Sequence, residues 1–320
     1  MVSNIANLNK KKVVVITGPT AVGKTKLSVK LAEQFKSEII NADSRQVYKF
    51  MDIGTAKPTV EERNQVYHHF VDYVKPDEHF DAGMFGENGR KVIDNLLLNQ
   101  KVPIVVGGSG LYIKSLVDGL FEGPKQDTVI RKELDKRIEK DGIESLLLEL
   151  KQIDPELAQK LLHTNKHRII RAMEVYYITG KPISTLHKDN KTKVDFHPVI
   201  FGLNCERKEL YKKINSRVLV MISDGLVEEV KNLLNMGFSK DLKAFHTVGY
   251  KEPIDFIDNK ISYETMVARI QQYSRNYAKR QLTWFRADER ITWLDTTIET
   301  EQLIEIIIKK FEENDISNML

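Results

Sequence analysis

KKVVVITGPTAVGKT, residues 11–25, carries two structural signals in one line. Its first half, Lys11–Thr17, is a short apolar run rich in β-branched side chains, the signature of a buried strand. Its second half, Gly18-Pro19-Thr20-Ala21-Val22-Gly23-Lys24-Thr25, fits G-x-x-x-x-G-K-[ST]. Leu27, Leu31 and Phe35 then recur at i, i+4, i+8, which predicts an amphipathic helix over Lys24–Phe35. Glycines at this junction let the backbone curl so that its N–H groups converge on phosphate oxygens. The helix N-terminus adds its dipole. Lys24 brings a positive charge to the terminal phosphates, and Thr25 offers a hydroxyl to Mg²⁺.

Outward from this junction, strands alternate with helices. Ser37–Asn41 reads as a second strand, residues 50–80 as irregular, Ala82–Leu98 as a helix, Val102–Val106 as another buried strand, and Ser109–Leu120 as a helix. This rhythm predicts an α/β fold, a P-loop NTPase-like parallel sheet flanked by helices. It breaks near Gly123–Pro124. From Thr128 to Tyr177 the pattern is helical, interrupted at Gly142 and Asp154–Pro155 and ended by Gly180–Pro182. A polar loop over Lys188–Lys193 leads to a return strand at Val194–Leu203, then helices at about 206–222, 224–236 and 262–286. The domain organisation expected is a catalytic core from residues 1–120 and 194–320, with a helical insertion domain at 121–193. The tail at 313–320 is expected to fray.

Composition bounds the function. The 320 residues are 41% apolar and 29% charged, which excludes a disordered chain. No 18-residue apolar run exists, so no membrane span is expected. The first dozen residues lack an apolar segment of the secretory kind, and the single cysteine, Cys205, excludes an internal disulfide or a multi-thiolate zinc site. Together these point to a cytoplasmic protein. The net charge of +4 is small, but residues 161–200 hold 7 basic and 3 acidic residues, so any polyanion-binding surface is local.

The cradle alone does not say what becomes of the phosphate. A nucleotide hydrolase places an acid after a second apolar strand to hold Mg²⁺; here Val102–Val106 runs into Gly107-Gly108-Ser109-Gly110 instead. The acid nearest a strand end is Asp43, and ligand groups gather at strand carboxyl ends in open α/β sheets. Asp43 and Ser109 are therefore both expected to face the cradle.

Asn41-Ala42-Asp43-Ser44-Arg45-Gln46-Val47-Tyr48, continuing through Met51-Asp52-Ile53-Gly54-Thr55-Ala56-Lys57-Pro58, resembles the tRNA dimethylallyltransferase (tRNA isopentenyltransferase) family in its short bacterial form. The likeness extends to Gly107–Tyr112, to His167-Arg168 through Arg171–Val175, to Thr247-Val248-Gly249-Tyr250-Lys251, and to Lys279-Arg280-Gln281-Leu282-Thr283-Trp284-Phe285-Arg286, all in family order. It implies transfer of a dimethylallyl group from dimethylallyl diphosphate to N6 of adenosine 37 of tRNA, with Mg²⁺ as cofactor and the anticodon stem-loop as partner, by a monomer.

By the same resemblance Asp43 is the general base, Arg217 joins Lys24 and Thr25 in catalysis, and residues 18–25 bind the diphosphate. Ser44, Arg45 and Gln46 would contact the flipped adenosine and its neighbours. Ser109, Arg131, His167, Arg168, Arg171, Thr247, Gly249, Tyr250, Lys251, Lys279, Arg280, Gln281, Trp284 and Arg286 would contact tRNA. From the residues alone, Asp43 could instead hold Mg²⁺ or cap a helix, and Arg217 could be a solvated surface arginine. Trp284 and Phe285 read as core aromatics. His68, His69 and His246 read as structural histidines, since no ligand spacing accompanies them. Two other readings fit the cradle: a small-molecule or nucleotide kinase using ATP, and a non-catalytic RNA-binding switch. The kinase reading does not account for the DSRQVY stretch.

Overall fold

A computed structural model describes residues 11–120, 123–161, 165–189 and 194–313. The loop positions 190–193 and the tail after 313 lie outside the described residues. Six strands form one sheet: β1 (Lys12–Thr17), β2 (Ile39–Asn41), β3 (His68–His69), β4 (Ile104–Gly107), β5 (His197–Asn204) and β6 (Thr292–Asp295). Their order is β3-β2-β4-β1-β5-β6 and every pairing is parallel. All six residues of β1 are buried, as a central strand covered on both faces requires.

The helices up to Val117 are α1 (Lys24–Phe35), α2 (Val60–Gln65), α3 (Ala82–Leu98) and α4 (Gly110–Val117). The next group is α5 (Thr128–Asp141), α6 (Ile143–Ile153), α7 (Pro155–Ala158), α8 (Lys166–Thr179) and α9 (Ile183–Asp189). Then come α10 (Arg207–Ser223), α11 (Leu226–Asn235), α12 (Lys251–Ile257), α13 (Tyr263–Arg286) and α14 (Thr300–Glu313). The chain packs as two compact units, one running through Val117 and resuming at Asp195, the other Asp118–Val194.

In the larger unit the apolar stripe of α1 packs Leu27, Leu31 and Ala32 onto Val14, Ile16 and Ile39 of the sheet, and Ile307 and Phe311 of α14 extend the same core. Several elements depart from the expectation for this unit. The span 50–80 is not wholly irregular, since α2 and β3 lie within it. α2 buries none of its residues, so no apolar period announced it; a capping box, Thr59 with Glu62, starts it instead. β3 is two residues long, too short for a period, and β6 and α14 complete the sheet edge and its cover. Lys57 anchors the irregular remainder: its buried ammonium donates to Tyr48 O (2.6 Å) and to the carboxylates of Asp52 (2.6 Å) and Asp72.

The smaller unit is a helical cluster around Leu134, Leu146, Leu150, Ile169 and Met173. The Glu174 carboxylate is fully buried in it. Arg131 donates Nε (2.8 Å) and Nη2 (2.9 Å) to it, Arg171 donates Nη1 (2.6 Å), and the Asp127 backbone N–H donates at 2.8 Å. Burial alone would raise the Glu174 pKa; the bonds from Arg131, Arg171 and Asp127 outweigh it and hold the carboxyl below its ordinary value. Glu174→Ala leaves two arginines without their shared anion and is expected to destabilise this unit by about 3 kcal/mol, measured by chemical denaturation. In the wild type this contribution is complete above the ordinary glutamate pKa. It fades as pH falls through the lower folded value, so acid titration of the unfolding midpoint checks the same pair.

Candidate active site

The cradle forms where β1 stops and α1 starts. Gly18 has φ +140°, and a Cβ there would lie 2.6 Å from the Leu203 carbonyl oxygen of β5. Glycine is thus required by both conformation and space. Ala21 also sits in the left-handed region, at φ +62°, a strained position for a residue with a side chain. Lys24 curls back so that its ammonium donates to Gly18 O (3.0 Å) and Pro19 O (2.8 Å). Loss of hydration pulls its pKa down to about 8; Asp43 opposes that fall and Arg217 adds to it.

The opposite wall comes from β2 and β4. A Cβ on Gly107 would lie 2.0 Å from Ala42 O, so only glycine lets the two strand ends run this close. Ala42 N–H donates to Val106 O (2.7 Å) and Ser109 N–H donates back to Ala42 O (3.2 Å). Ser109 Oγ accepts from Ser44 N–H (2.9 Å) and donates to Ser44 Oγ (3.2 Å). The chain then turns around Asp43, whose Oδ1 accepts from the backbone N–H groups of Arg45 (2.8 Å) and Gln46 (3.4 Å). Gln46 Nε2 donates to Thr55 O (3.1 Å) and Ala56 O (2.8 Å), so both of its amide hydrogens are committed.

Two helices close the site. From α10, Arg217 donates Nη1 to Thr20 Oγ1 (3.2 Å) and Nη2 to Ala56 O (3.4 Å). It is not a solvated surface arginine. Burial pulls its pKa below the ordinary guanidinium value, with Asp43 partly restoring it. From α13, Gln281 is buried and bridges the walls: Nε2 donates to Gly108 O (2.9 Å) and Oε1 accepts from Thr20 N–H (2.9 Å). Tyr277, one turn earlier, has its pKa pushed up to about 12, chiefly by burial and by the Asp43 carboxylate, against a hydrogen bond with Ser109. These elements enclose a cavity of about 730 Å³ lined by Thr20–Thr25, Asp43, Ser44, Arg45, Gln46, Arg217, Thr247, Tyr277 and Arg280. Its volume suits a small phosphorylated molecule with room for a base.

Several residues expected at a nucleic-acid surface are engaged by partners within the protein. Tyr250 is fully buried, stacked on Phe245, and its hydroxyl donates to Glu229 (2.7 Å). The same carboxylate accepts from the N–H groups of Asp52, Ile53 and Gly54. The Tyr250 side chain is therefore a strut under the 52–54 loop. Gln281 is likewise an internal bridge. Gly249 is buried at φ +91°, its N–H donating to Glu252 (2.8 Å). Arg131 and Arg171 are engaged by Glu174.

Ser109 is buried and bonded to Ser44, while Lys251, Lys279, Arg280 and Arg286 are exposed, as are His167 and Arg168 on α8. Trp284 reverses its expectation: it is about half exposed, lying over Gly110, whereas Phe285 is buried. Arg275 bonds Asn215 (2.6 Å) and Gln272 (2.6 Å). His68 pairs with Val66 O and His69 with Glu38, as structural histidines do. His246 is exposed and borders the cavity. Sequence reasoning missed the apolar wall made by Val218, Met221, Val248 and Ile270. The signal was present: Arg217 and Met221 stand four residues apart on one helix.

No group of three or more His, Cys, Asp or Glu side chains that could hold a metal occurs among the described residues. Thr25 and Asp43 do border one cavity, and Mg²⁺ is ordinarily held by one or two protein oxygens together with substrate phosphates and water, so this donor set fits it.

A family model described as IPP transferase matches residues 46–288. The chain is similar to a tRNA dimethylallyltransferase of Thermotoga maritima, with 43% identity over 305 residues covering 94% of this chain and 99% of the relative. It is similar to one from Thermosipho africanus, with 45% identity over 301 residues covering 94% and 98%. Among solved structures it resembles the full-length tRNA isopentenylpyrophosphate transferase of Bacillus halodurans (TM-score 0.71, 37% identity, 95% and 98% covered). It also resembles a eukaryotic dimethylallyltransferase acting on tRNA (TM-score 0.74, 30% identity, 89% and 74% covered).

The charge balance at Lys24 is directly measurable. Its ammonium is expected to titrate near pH 8 in the free protein. Asp43→Asn is expected to lower that midpoint and Arg217→Met to raise it, followed by lysine NMR or by the pH dependence of amine acylation.

Proposed function

The chain belongs to the IPP transferase family of tRNA dimethylallyltransferases, and we propose from that premise how this site carries out the family reaction. The reaction moves a dimethylallyl group from dimethylallyl diphosphate to N6 of adenosine 37 in tRNA and releases pyrophosphate. The C1–O bond of the diphosphate breaks, its electron pair leaving with pyrophosphate. The N6 lone pair forms the new bond to C1, and one N6 proton departs. The observation that carries our assignment is the convergence of a phosphate cradle, two desolvated cations and one carboxylate on a single cavity.

Backbone N–H groups of the cradle, Lys24 and Arg217 stabilise the charge that develops on the leaving oxygen. A well-placed donor of this kind is worth ~3–4 kcal/mol in a site closed to water. When bound, Mg²⁺ would supply further neutralisation of the diphosphate, held by Thr25 with or without Asp43. Asp43 takes the N6 proton, a contribution of roughly 10²–10⁴-fold. Its own turn uses Oδ1, and Oδ2 has no hydrogen-bond partner among the described residues. The β4 end favours transfer over nucleotide hydrolysis, because Gly107–Gly108 stands where a hydrolase keeps its magnesium acid.

The adenosine leaves its stack to reach this cavity, as bases do in enzymes that modify them. Gln46 can then only accept, through Oε1, since its amide hydrogens are held by Thr55 and Ala56. Arg280, over the Tyr277 ring at 5.7 Å, borders the cavity mouth. Lys279, Trp284 and Arg286 offer exposed charge and an aromatic face to the anticodon stem-loop. His167 and Arg168 do so from α8. Among the described residues no helix is long and apolar enough to cross a membrane. We place the enzyme in the cytoplasm, acting as a monomer where its tRNA substrate resides.

The test is mass spectrometry of anticodon-loop nucleosides after incubation with dimethylallyl diphosphate, Mg²⁺ and unmodified tRNA. Asp43→Ala is expected to lower single-turnover transfer by roughly 10²–10⁴-fold while tRNA affinity changes little. Transfer close to wild type in this variant would remove Asp43 as the base.

A further inference from the structure

Within the larger unit, α10 presents two chemistries to one cavity. Lys213 and Arg217 border it first, and Val218 and Met221 follow. On a 1.5 Å rise per residue, Met221 stands roughly 6 Å beyond Arg217 along the helix. Arg217 reaches the cradle through Thr20 Oγ1, which fixes the phosphate end. Beyond it Val218 joins a small apolar cluster with Ile270, against which Met221 and Val248 pack. All four also border the cavity. Val218 and Ile270 are fully buried and form fixed walls. Met221 and Val248 are only partly buried, so their side chains limit the open space. Of the two, methionine is the longer and the more adaptable.

We propose that Met221 sets the length of prenyl chain the enzyme accepts, by closing the apolar end of the cavity just past a five-carbon tail. This rests on the prenyl-transfer reading above. Beside a diphosphate held at Arg217, the apolar lining open to its hydrocarbon is Val218, Met221, Val248 and Ile270. A ten-carbon geranyl diphosphate would undergo the same C1–O cleavage and N6–C1 bond formation, but its second isoprene unit meets the methionine. Hydrophobic pockets discriminate by roughly 10–200-fold per methylene of misfit, so removing one side chain is enough to move the selectivity measurably.

The experiment is a one-tube competition. Equal concentrations of dimethylallyl and geranyl diphosphate, Mg²⁺ and unmodified tRNA are incubated with wild type, Met221→Ala or Val248→Ala, and the two modified adenosines are quantified by mass spectrometry. The product ratio does not depend on how much of a variant is folded. Wild type is expected to give the five-carbon product, N6-(dimethylallyl)adenosine, almost exclusively. Met221→Ala is expected to shift the ratio toward the geranyl product by about tenfold or more, and Val248→Ala by less. A ratio unchanged in both variants would overturn the ruler while leaving the transfer reading intact. Wild type that attaches neither group would overturn the transfer reading, and the ruler with it.

Discussion

The site exists because Ala42 and Gly107 touch. With the carbonyl of one lying 2.0 Å from where the other would carry a Cβ, the ends of β2 and β4 are drawn together more closely than side chains permit. The parallel sheet already sends its strand carboxyl ends to one edge. This contact converts that general arrangement into a wall. It lets Ser109 N–H reach Ala42 O and Ser109 Oγ reach Ser44 N–H, which fixes the turn in which Asp43 projects. A methyl group at residue 107 would part the two strands and move the carboxylate away from the cradle. Gly18 does the corresponding work on the other side, against Leu203 of β5.

Electrostatics then follows from enclosure. Lys24 and Arg217 are both pulled below their ordinary pKa values by loss of water, and each finds a partial counter-charge in Asp43. Two cations against one carboxylate leave the site short of negative charge. A diphosphate relieves that shortage, so its binding and the charged state of Lys24 favour each other. The modest overall charge of +4 is consistent with this, because the phosphate-binding charge is concentrated in two enclosed side chains and a set of backbone dipoles.

The cradle, the central strands and the long helices were legible because each carries a period or a glycine that has a single physical explanation. Lys24–Phe35 and Ala82–Leu98 coincide with the helices found. The failures have physical reasons too. α2 buries nothing and β3 is too short to alternate. Tyr250 and Gln281 belong to stretches that read as RNA-facing, yet a motif does not tell which way each of its members points. For Gln281 the helix itself held the answer. Ala278, Gln281 and Phe285 stand at i, i+3, i+7 of α13, and all three are buried. Trp284 stands about a quarter-turn round the helix from that stripe and is about half exposed despite its size. Tyr250 stands at the start of a short helix, where no period extends far enough to place it.

That division along α13 also explains why a neutral amide holds the phosphate loop. Gln281 engages Thr20 N–H and Gly108 O with one donor and one acceptor, satisfying two backbone groups that would otherwise be buried without partners. An acid at 281 would compete with the diphosphate's negative charge for Lys24 and Arg217, and a base would repel them. A carboxamide braces the loop without joining the charge balance. It leaves the cations to the leaving group and the N–H groups after Thr20 to the phosphates. Arg280, its immediate neighbour, points instead to Tyr277 at the mouth of the cavity. Adjacent positions on one helix thus hold the residue that braces the phosphate loop and one that meets the solvent.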